Sequence, residues 1–107
     1  MSSKAVDLLE KVIAGNNLSE EESASVLRGM AGGDLPPPLA GGLLVALRSK
    51  GEVASEIRGF AEAMRELAIR PPVPKGEPYV DIVGTGGDGS GSLNLSTGSA
   101  LLTAACG

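Results

Sequence analysis

Tyr79-Val80-Asp81-Ile82-Val83, then Gly84-Thr85-Gly86-Gly87-Asp88-Gly89-Ser90-Gly91-Ser92, then Leu93-Asn94-Leu95-Ser96-Thr97 is the stretch on which the reading of this chain turns. A short apolar run enters a loop crowded with glycine, and the loop exits into amide and hydroxyl side chains ahead of an apolar segment that reaches Leu102. The order predicts a strand, an anion-binding loop and the start of a helix. Glycine has no Cβ, so the backbone can take positive φ and bring its N–H groups close to a ligand that a side chain would block. A phosphate is the natural guest. The bland alternative is a flexible glycine linker, but a linker needs neither a five-residue strand pattern before it nor Asn94, Ser96 and Thr97 after it.

Upstream of Tyr79 the pattern is helical. Ala5, Leu8, Leu9, Val12 and Ile13 recur at helical spacing until Gly15-Asn16-Asn17 stops the run. Ser19 followed by Glu20-Glu21-Glu22 has the spacing of a capping box, and the three acids complement the dipole of a second helix that carries Val26, Leu27 and Met30 inward and ends at Gly32-Gly33. Pro36-Pro37-Pro38 can stand only in the first turn of a third helix, which runs through Leu39, Leu43, Leu44 and Leu47 to Lys50-Gly51. Gly41-Gly42 inside it weakens that helix by roughly 1 kcal/mol per glycine, so a close helix crossing is expected there. Ile57, Phe60, Ala61, Met64, Leu67 and Ala68 form an amphipathic stripe read as core or subunit interface, with Glu56, Arg58, Glu62, Arg65 and Glu66 on a solvated face. Four prolines between Arg70 and Pro78 then exclude both helix and central strand. The organisation read from this pattern is a helical subdomain over 1–70, a proline-rich linker over 71–78, and the start of an α/β domain over 79–107.

Composition narrows the function. The chain has 107 residues, a formal net charge of −4 and only two aromatic side chains, Phe60 and Tyr79, so its core is aliphatic. With a pI near 4.7 it lacks the basic face that a general nucleic-acid or membrane-surface binder needs. No segment is long and apolar enough for a membrane span, and the N-terminus has no apolar signal core. The single cysteine, Cys106, excludes an intrachain disulfide and makes a reducing, cytoplasmic setting the expectation. With no histidine in the chain to activate it, Cys106 reads as a small packing residue.

The loop itself discriminates among phosphate sites. Gly84, Gly86 and Gly89 satisfy Gly-x-Gly-x-x-Gly, but Ser90-Gly91-Ser92 lengthens the loop and delays the helix start to Asn94–Thr97, so a dinucleotide fingerprint fits poorly. A Walker loop fails for want of Gly-Lys-Ser/Thr. A long loop that ends in Asn94-x-Ser96-Thr97 suits a ligand with two phosphate groups: loop N–H groups hold one end, and Asn94, Thr97 and the new helix hold the other. Ser96 can offer its hydroxyl to a metal ion. Asp88 beside phosphates is repulsive unless it accepts from sugar hydroxyls or acts through a cation, which favours a phosphorylated sugar with Mg²⁺. Plain N-capping is the simpler role for any one of Asn94, Ser96 and Thr97. Beyond Lys75 there is no lysine, arginine or histidine, so this segment can supply only part of such a site.

Asp81-Ile82-Val83-Gly84-Thr85-Gly86-Gly87-Asp88-Gly89 with Asn94-Leu95-Ser96-Thr97 closely resembles the signature of the anthranilate phosphoribosyltransferases. Leu18-Ser19-Glu20-Glu21, Ala46-Leu47-Arg48-Ser49-Lys50-Gly51-Glu52 and Ala63-Met64-Arg65-Glu66 resemble the helical subdomain of the same family. The resemblance implies a mainly α fold: a four-helix N-terminal subdomain, followed by the first β-strand, glycine-rich loop and helix of an α/β phosphoribosyltransferase domain. It implies transfer of the phosphoribosyl group of 5-phosphoribosyl diphosphate to anthranilate in tryptophan biosynthesis, with Mg²⁺ on the diphosphate, in a homodimer that meets through the helical subdomain. By resemblance Gly84 lies where both substrates approach, and Gly87 and Asp88 contact the phosphoribosyl diphosphate. Ser92, Asn94, Leu95 and Thr97 line its diphosphate side, and Ser96 both contacts it and ligates Mg²⁺. Leu93 and Ser92 stand where phenylalanine and threonine are usual, and Pro36 and Val53 stand where helix-capping residues are usual. The family's Lys-His-Gly-Asn segment and its later arginine and Asp-Glu pair are not in these 107 residues, so the expectation is a first third of a family member that holds no catalytic residue and is inactive alone. The rival readings are a pyrimidine nucleoside phosphorylase or a nucleic-acid-binding member of the same fold, and a helical interaction module with a flexible glycine tail.

Overall fold

The structure is a computed structural model that describes residues 2–84 and 89–107. Two compact units divide it, Met1–Arg70 and Pro71–Gly107.

The first unit holds α1 (Ser2–Ile13), α2 (Glu20–Gly32), α3 (Pro37–Lys50) and α4 (Ala54–Leu67). The capping box at the start of α2 forms in both directions: Glu22 N–H donates to Ser19 Oγ at 3.1 Å and Ser19 N–H donates to Glu22 Oε2 at 2.7 Å. Lys11 of α1 reaches the same carboxylate at 2.8 Å, so the cap also ties two helices together. Its hydrogen bond and the Ser19 amide hold the Glu22 carboxyl below its ordinary value. The third helix starts on Pro36, with prolines in its first turn and no side-chain cap, as three prolines in a row require.

The helices pack in two pairs, α1 on α3 and α2 on α4. Leu8, Val12, Leu18, Val26, Leu43 and Leu47 form the buried cluster, with Leu9, Met30, Leu35, Ala46 and Phe60 packed against it. Each fully buried leucine or valine contributes roughly 1.5–3 kcal/mol through removal of apolar surface from water. Leu8 and Val12 lie one turn apart on α1, and Leu43 and Leu47 do so on α3, which is the spacing the sequence shows. Leu44, at 56% exposure, and Ile13, at 62%, do not join them.

Four expectations need correction. The first concerns α4, whose apolar stripe does not join the core of this unit and keeps only the subunit-interface half of its reading. Its buried positions are Glu56, Gly59 and Ala63, with Phe60 half-buried, whereas Ile57, Met64 and Leu67 of the apolar stripe are exposed at 57%, 62% and 49%. The helix is turned so that a strip of small residues meets α2, because only a small residue allows the close approach found there. A Cβ on Gly59 would lie 2.2 Å from the Glu20 carbonyl oxygen and 2.8 Å from Ser23 Cβ. The second concerns Gly41-Gly42. An added Cβ on Gly41 meets open space and one on Gly42 would sit 3.7 Å from Leu9 Cδ2, an ordinary contact, so the tight crossing belongs to Gly59.

The third is Glu56: placed by pattern on the solvated face, it is fully buried. Its carboxylate accepts from the N–H of Leu18 at 2.9 Å, the N–H of Val53 at 2.9 Å and Lys50 Nζ at 3.0 Å. Burial pushes this carboxyl up, but the two amides and Lys50 together hold it below its ordinary value. Lys50 also donates to Asn17 Oδ1 and Gly51 O, and Ser55 Oγ donates to Leu18 O at 3.1 Å. One carboxylate therefore joins the α1–α2 loop, the end of α3 and the start of α4. Val53 offers no acceptor of its own, so α4 has only the half of a capping box that Glu56 supplies.

The second unit contains α5 (Leu95–Ala105). The fourth correction lies here: Tyr79–Val83 forms no strand, and among the described residues there is no strand at all. A strand is held by a ladder with a neighbour, and an isolated one is not stable in water. The Tyr79 hydroxyl instead donates to Pro74 O at 3.1 Å, closing the proline-rich segment on itself. No residue of α5 is buried within the unit. No described helix is long and apolar enough to cross a membrane.

Candidate functional site

The candidate site is the exit of the glycine loop into α5. Gly89 and Gly91 have φ of 66° and 59°, the left-handed region where a Cβ is disfavoured, so these two glycines carry backbone that other residues rarely adopt. Between them and the helix, Ser90 Oγ donates to Ser92 Oγ at 3.2 Å and the Ser92 N–H approaches Ser90 Oγ at 3.4 Å. Ser92 is thus engaged with Ser90 and stands apart from the other predicted donors.

Asn94 is the N-cap of α5, yet its side chain makes no capping bond to the backbone. Its Oδ1 accepts from Thr97 Oγ1 at 2.9 Å. Plain N-capping is therefore not what Asn94 does. With the amide oxygen held by Thr97, the –NH₂ end is oriented as a donor. The N–H groups of Ser96 and Thr97 lie in the first turn, ahead of any carbonyl that helical geometry could pair with them. They add the positive end of the helix dipole to the same place.

Ser96 is the one residue of α5 that is partly shielded; the rest are exposed. Its hydroxyl lies against Gly84, where a Cβ would come within 2.7 Å of Ser96 Oγ. The two ends of the glycine loop are therefore brought together through this pair. Leu95 is 66% exposed and contributes backbone to the first turn. Gly87 and Asp88, together with Thr85 and Gly86, lie outside the described residues. Of the predicted residues the structure thus joins Gly84 to Ser96 and Asn94 to Thr97, and leaves Ser92 with Ser90.

The pairings escape a reading by residue type. Asn94 and Thr97 stand three apart across a helix start, a spacing that predicts a side-chain to backbone cap as readily as the side-chain to side-chain bond found here. The approach of Gly84 to Ser96 has no local signal, since it depends on how the loop closes. The donor set is neutral: residues 76–107 have no lysine, arginine or histidine, and their carboxylates are Glu77, Asp81 and Asp88. No group of three or more His, Cys, Asp or Glu side chains converges among the described residues. Among the described residues, Ser96 is the one that could offer a divalent cation its side-chain oxygen, with the ligand and water supplying others. That suits Mg²⁺, which keeps several waters and binds through phosphates.

Comparison with known proteins places the chain. The family model described as "Glycosyl transferase family, helical bundle domain" matches residues 6–68, and that described as "Glycosyl transferase family, a/b domain" matches residues 76–107. A protein of Thermus thermophilus named anthranilate phosphoribosyltransferase is 50% identical over 102 residues, covering 95% of this chain and 31% of the relative. Proteins of the same name from Saccharolobus islandicus and Bradyrhizobium sp. are each 47% identical, over 90% and 94% of this chain and 27% and 29% of their own lengths. The chain therefore spans about a third of the length of these curated relatives. No solved structure matches it. A helix and a matched domain stand where a flexible glycine tail would leave neither. The chain belongs to the glycosyl transferase family, carrying that family's helical bundle domain and the opening of its α/β domain.

Proposed function

We propose that this chain is part of an anthranilate phosphoribosyltransferase, which moves the phosphoribosyl group of 5-phosphoribosyl diphosphate onto the amino group of anthranilate. The observation that carries the reading is 50% identity to a relative of that name across 95% of the chain, running through the glycine loop and its exit. In the reaction the C1–O bond to the diphosphate breaks, a C1–N bond forms, the amine loses a proton and pyrophosphate leaves.

The residues at hand suit the departing end of that displacement. The first-turn N–H groups of α5 and the Asn94 amide, oriented by the Thr97 hydroxyl, are the donors that would face the developing negative charge. Gly87 and Asp88 would meet the ribose and diphosphate, Ser92 and Leu95 would border the latter, and Gly84 would lie between the two substrates. Ser96 is the residue that would hold Mg²⁺. The chemistry Mg²⁺ supplies when bound is neutralisation of charge on the leaving diphosphate. Positioning and charge stabilisation then carry most of the rate, with less demand for a general base. Because residues 76–107 have no cationic side chain, the positive charge that completes the site comes from sequence outside these residues.

Exposed Ile13, Leu44 and Val45 on α1 and α3 support a homodimer formed through the helical unit, and the single cysteine supports a reducing, cytoplasmic setting. The deciding experiment is calorimetry on a polypeptide that extends this chain to the length of its relatives. Phosphoribosyl diphosphate with Mg²⁺ should bind, and Asp88→Ala combined with Ser96→Ala should weaken it. Absence of binding, or an affinity unmoved by the pair of substitutions, sinks the reading.

A further inference from the structure

A serine or threonine hydroxyl in a helix can turn back onto a carbonyl one turn earlier. Ser23 does so to Ser19 O at 2.9 Å, and Thr103 does so to Ser99 O at 2.8 Å. Ser96 does not. Its hydroxyl makes no hydrogen bond among the described residues and is instead turned to the backbone of Gly84. A Cβ on Gly84 would stand 2.7 Å from Ser96 Oγ, closer than real Cβ atoms come to a neighbour, while Ser96 Cβ would be 4.0 Å away. The conflict is with the hydroxyl alone, and rotation about χ1 of Ser96 would relieve it.

We infer that Gly84 is a positioning residue: by lacking a side chain it leaves room for the Ser96 hydroxyl to face the start of the loop and so sets the direction in which that oxygen is presented to a metal-bound diphosphate. Three staggered rotamers are open to a serine in principle, and the neighbouring backbone selects among them. An alanine at 84 removes the selected one without removing the hydroxyl, so its effect differs in kind from the loss of a direct contact. The inference rests on the reading of the loop as a diphosphate site, but its geometric half stands without any ligand.

The experiment has two arms. In the ligand-free 107-residue chain, NMR should show a nuclear Overhauser contact between Gly84 Hα and Ser96 Hβ, with three-bond couplings that report one dominant χ1. Gly84→Ala should shift that χ1 while leaving the helical signal of α1–α4 unchanged. An unshifted χ1 overturns the inference, whether or not the protein binds substrate.

The second arm is a double-mutant cycle on the polypeptide of relatives' length, read as affinity for phosphoribosyl diphosphate and as the Mg²⁺ concentration at half-saturation. Gly84→Ala and Ser96→Ala should each weaken binding by about tenfold, the scale of one hydrogen bond to a charged group. Together they should do no more than Ser96→Ala alone, and both should raise the Mg²⁺ requirement. Losses that multiply would show that Gly84 acts independently of Ser96 and overturn the inference. A wild-type protein that shows the expected χ1 but binds no phosphoribosyl diphosphate would instead refute the functional reading and leave the geometry of Gly84 and Ser96 supported.

Discussion

Glu56 is a charged side chain with no exposed surface, and every oxygen contact it makes is to a donor. Replacing it by alanine would leave a buried amide and a half-buried one without an acceptor and Lys50, only 8% exposed, without its counter-ion. Breaking a buried pair from one side costs about 3 kcal/mol or more, so urea unfolding of Glu56→Ala should shift by that much. A change below about 1 kcal/mol would mean that the network is not formed in solution. The pH dependence follows from the direction of the shifts. Glu56 and Glu22 both ionise more readily in the folded state than at their ordinary value of 4.5. The stability they contribute is complete above that value and is lost as pH falls through their lowered folded values. Stability measured against pH should therefore drop on the acid side, and the drop should be shallower in Glu56→Ala. At the loop exit, Thr97→Val removes the donor that orients Asn94. Phosphoribosyl diphosphate affinity should fall several-fold, on the scale of roughly 1 kcal/mol for one hydrogen bond, whereas Thr97→Ser should keep it. Equal affinities in the two variants would dissociate Asn94 from Thr97.

At the scale of elements, two glycines in helices behave in opposite ways. Gly59 is where α4 crosses α2, and an alanine there meets backbone at 2.2 Å. Overpacking of this kind costs about 1–3 kcal/mol and outweighs the helix propensity that alanine would add. Gly41 on α3 faces open space, so Gly41→Ala should stabilise the chain by up to about 1 kcal/mol. Thermal unfolding of the two variants should move in opposite directions. A destabilising Gly41→Ala would show that another surface covers that face of α3. The amphipathic stripe of α4 belongs to the same scale. Its apolar period was legible, and so was the helix, but the stripe faces outward because the Gly59 crossing and the anchored Glu56 carboxylate set the rotation of the helix. Val53 and Glu56 have N-cap to N3 spacing, and that spacing was the one trace in the sequence of a carboxylate turned inward.

The whole molecule separates by where its core lies. Among the described residues, every fully buried one falls between Leu8 and Ala63, and none falls in 71–107. A chain that ends at Arg70 should keep its unfolding temperature in circular dichroism. A fall of more than about 4 °C, equivalent to about 1 kcal/mol in a domain of this size, would show that the second unit supports the first. By itself the sequence determined the four helices, their caps and stops, the proline break and the glycine loop with its polar exit, because helical period, capping chemistry and proline sterics act within a few residues. Only the tertiary structure decided which face of α4 is buried, that Glu56 lies inside, that Gly59 rather than Gly41-Gly42 makes the tight crossing, and that Ser96 is set against Gly84. Those outcomes depend on which surfaces meet. The same reason leaves Tyr79–Val83 without a strand, since a strand exists only through its neighbour.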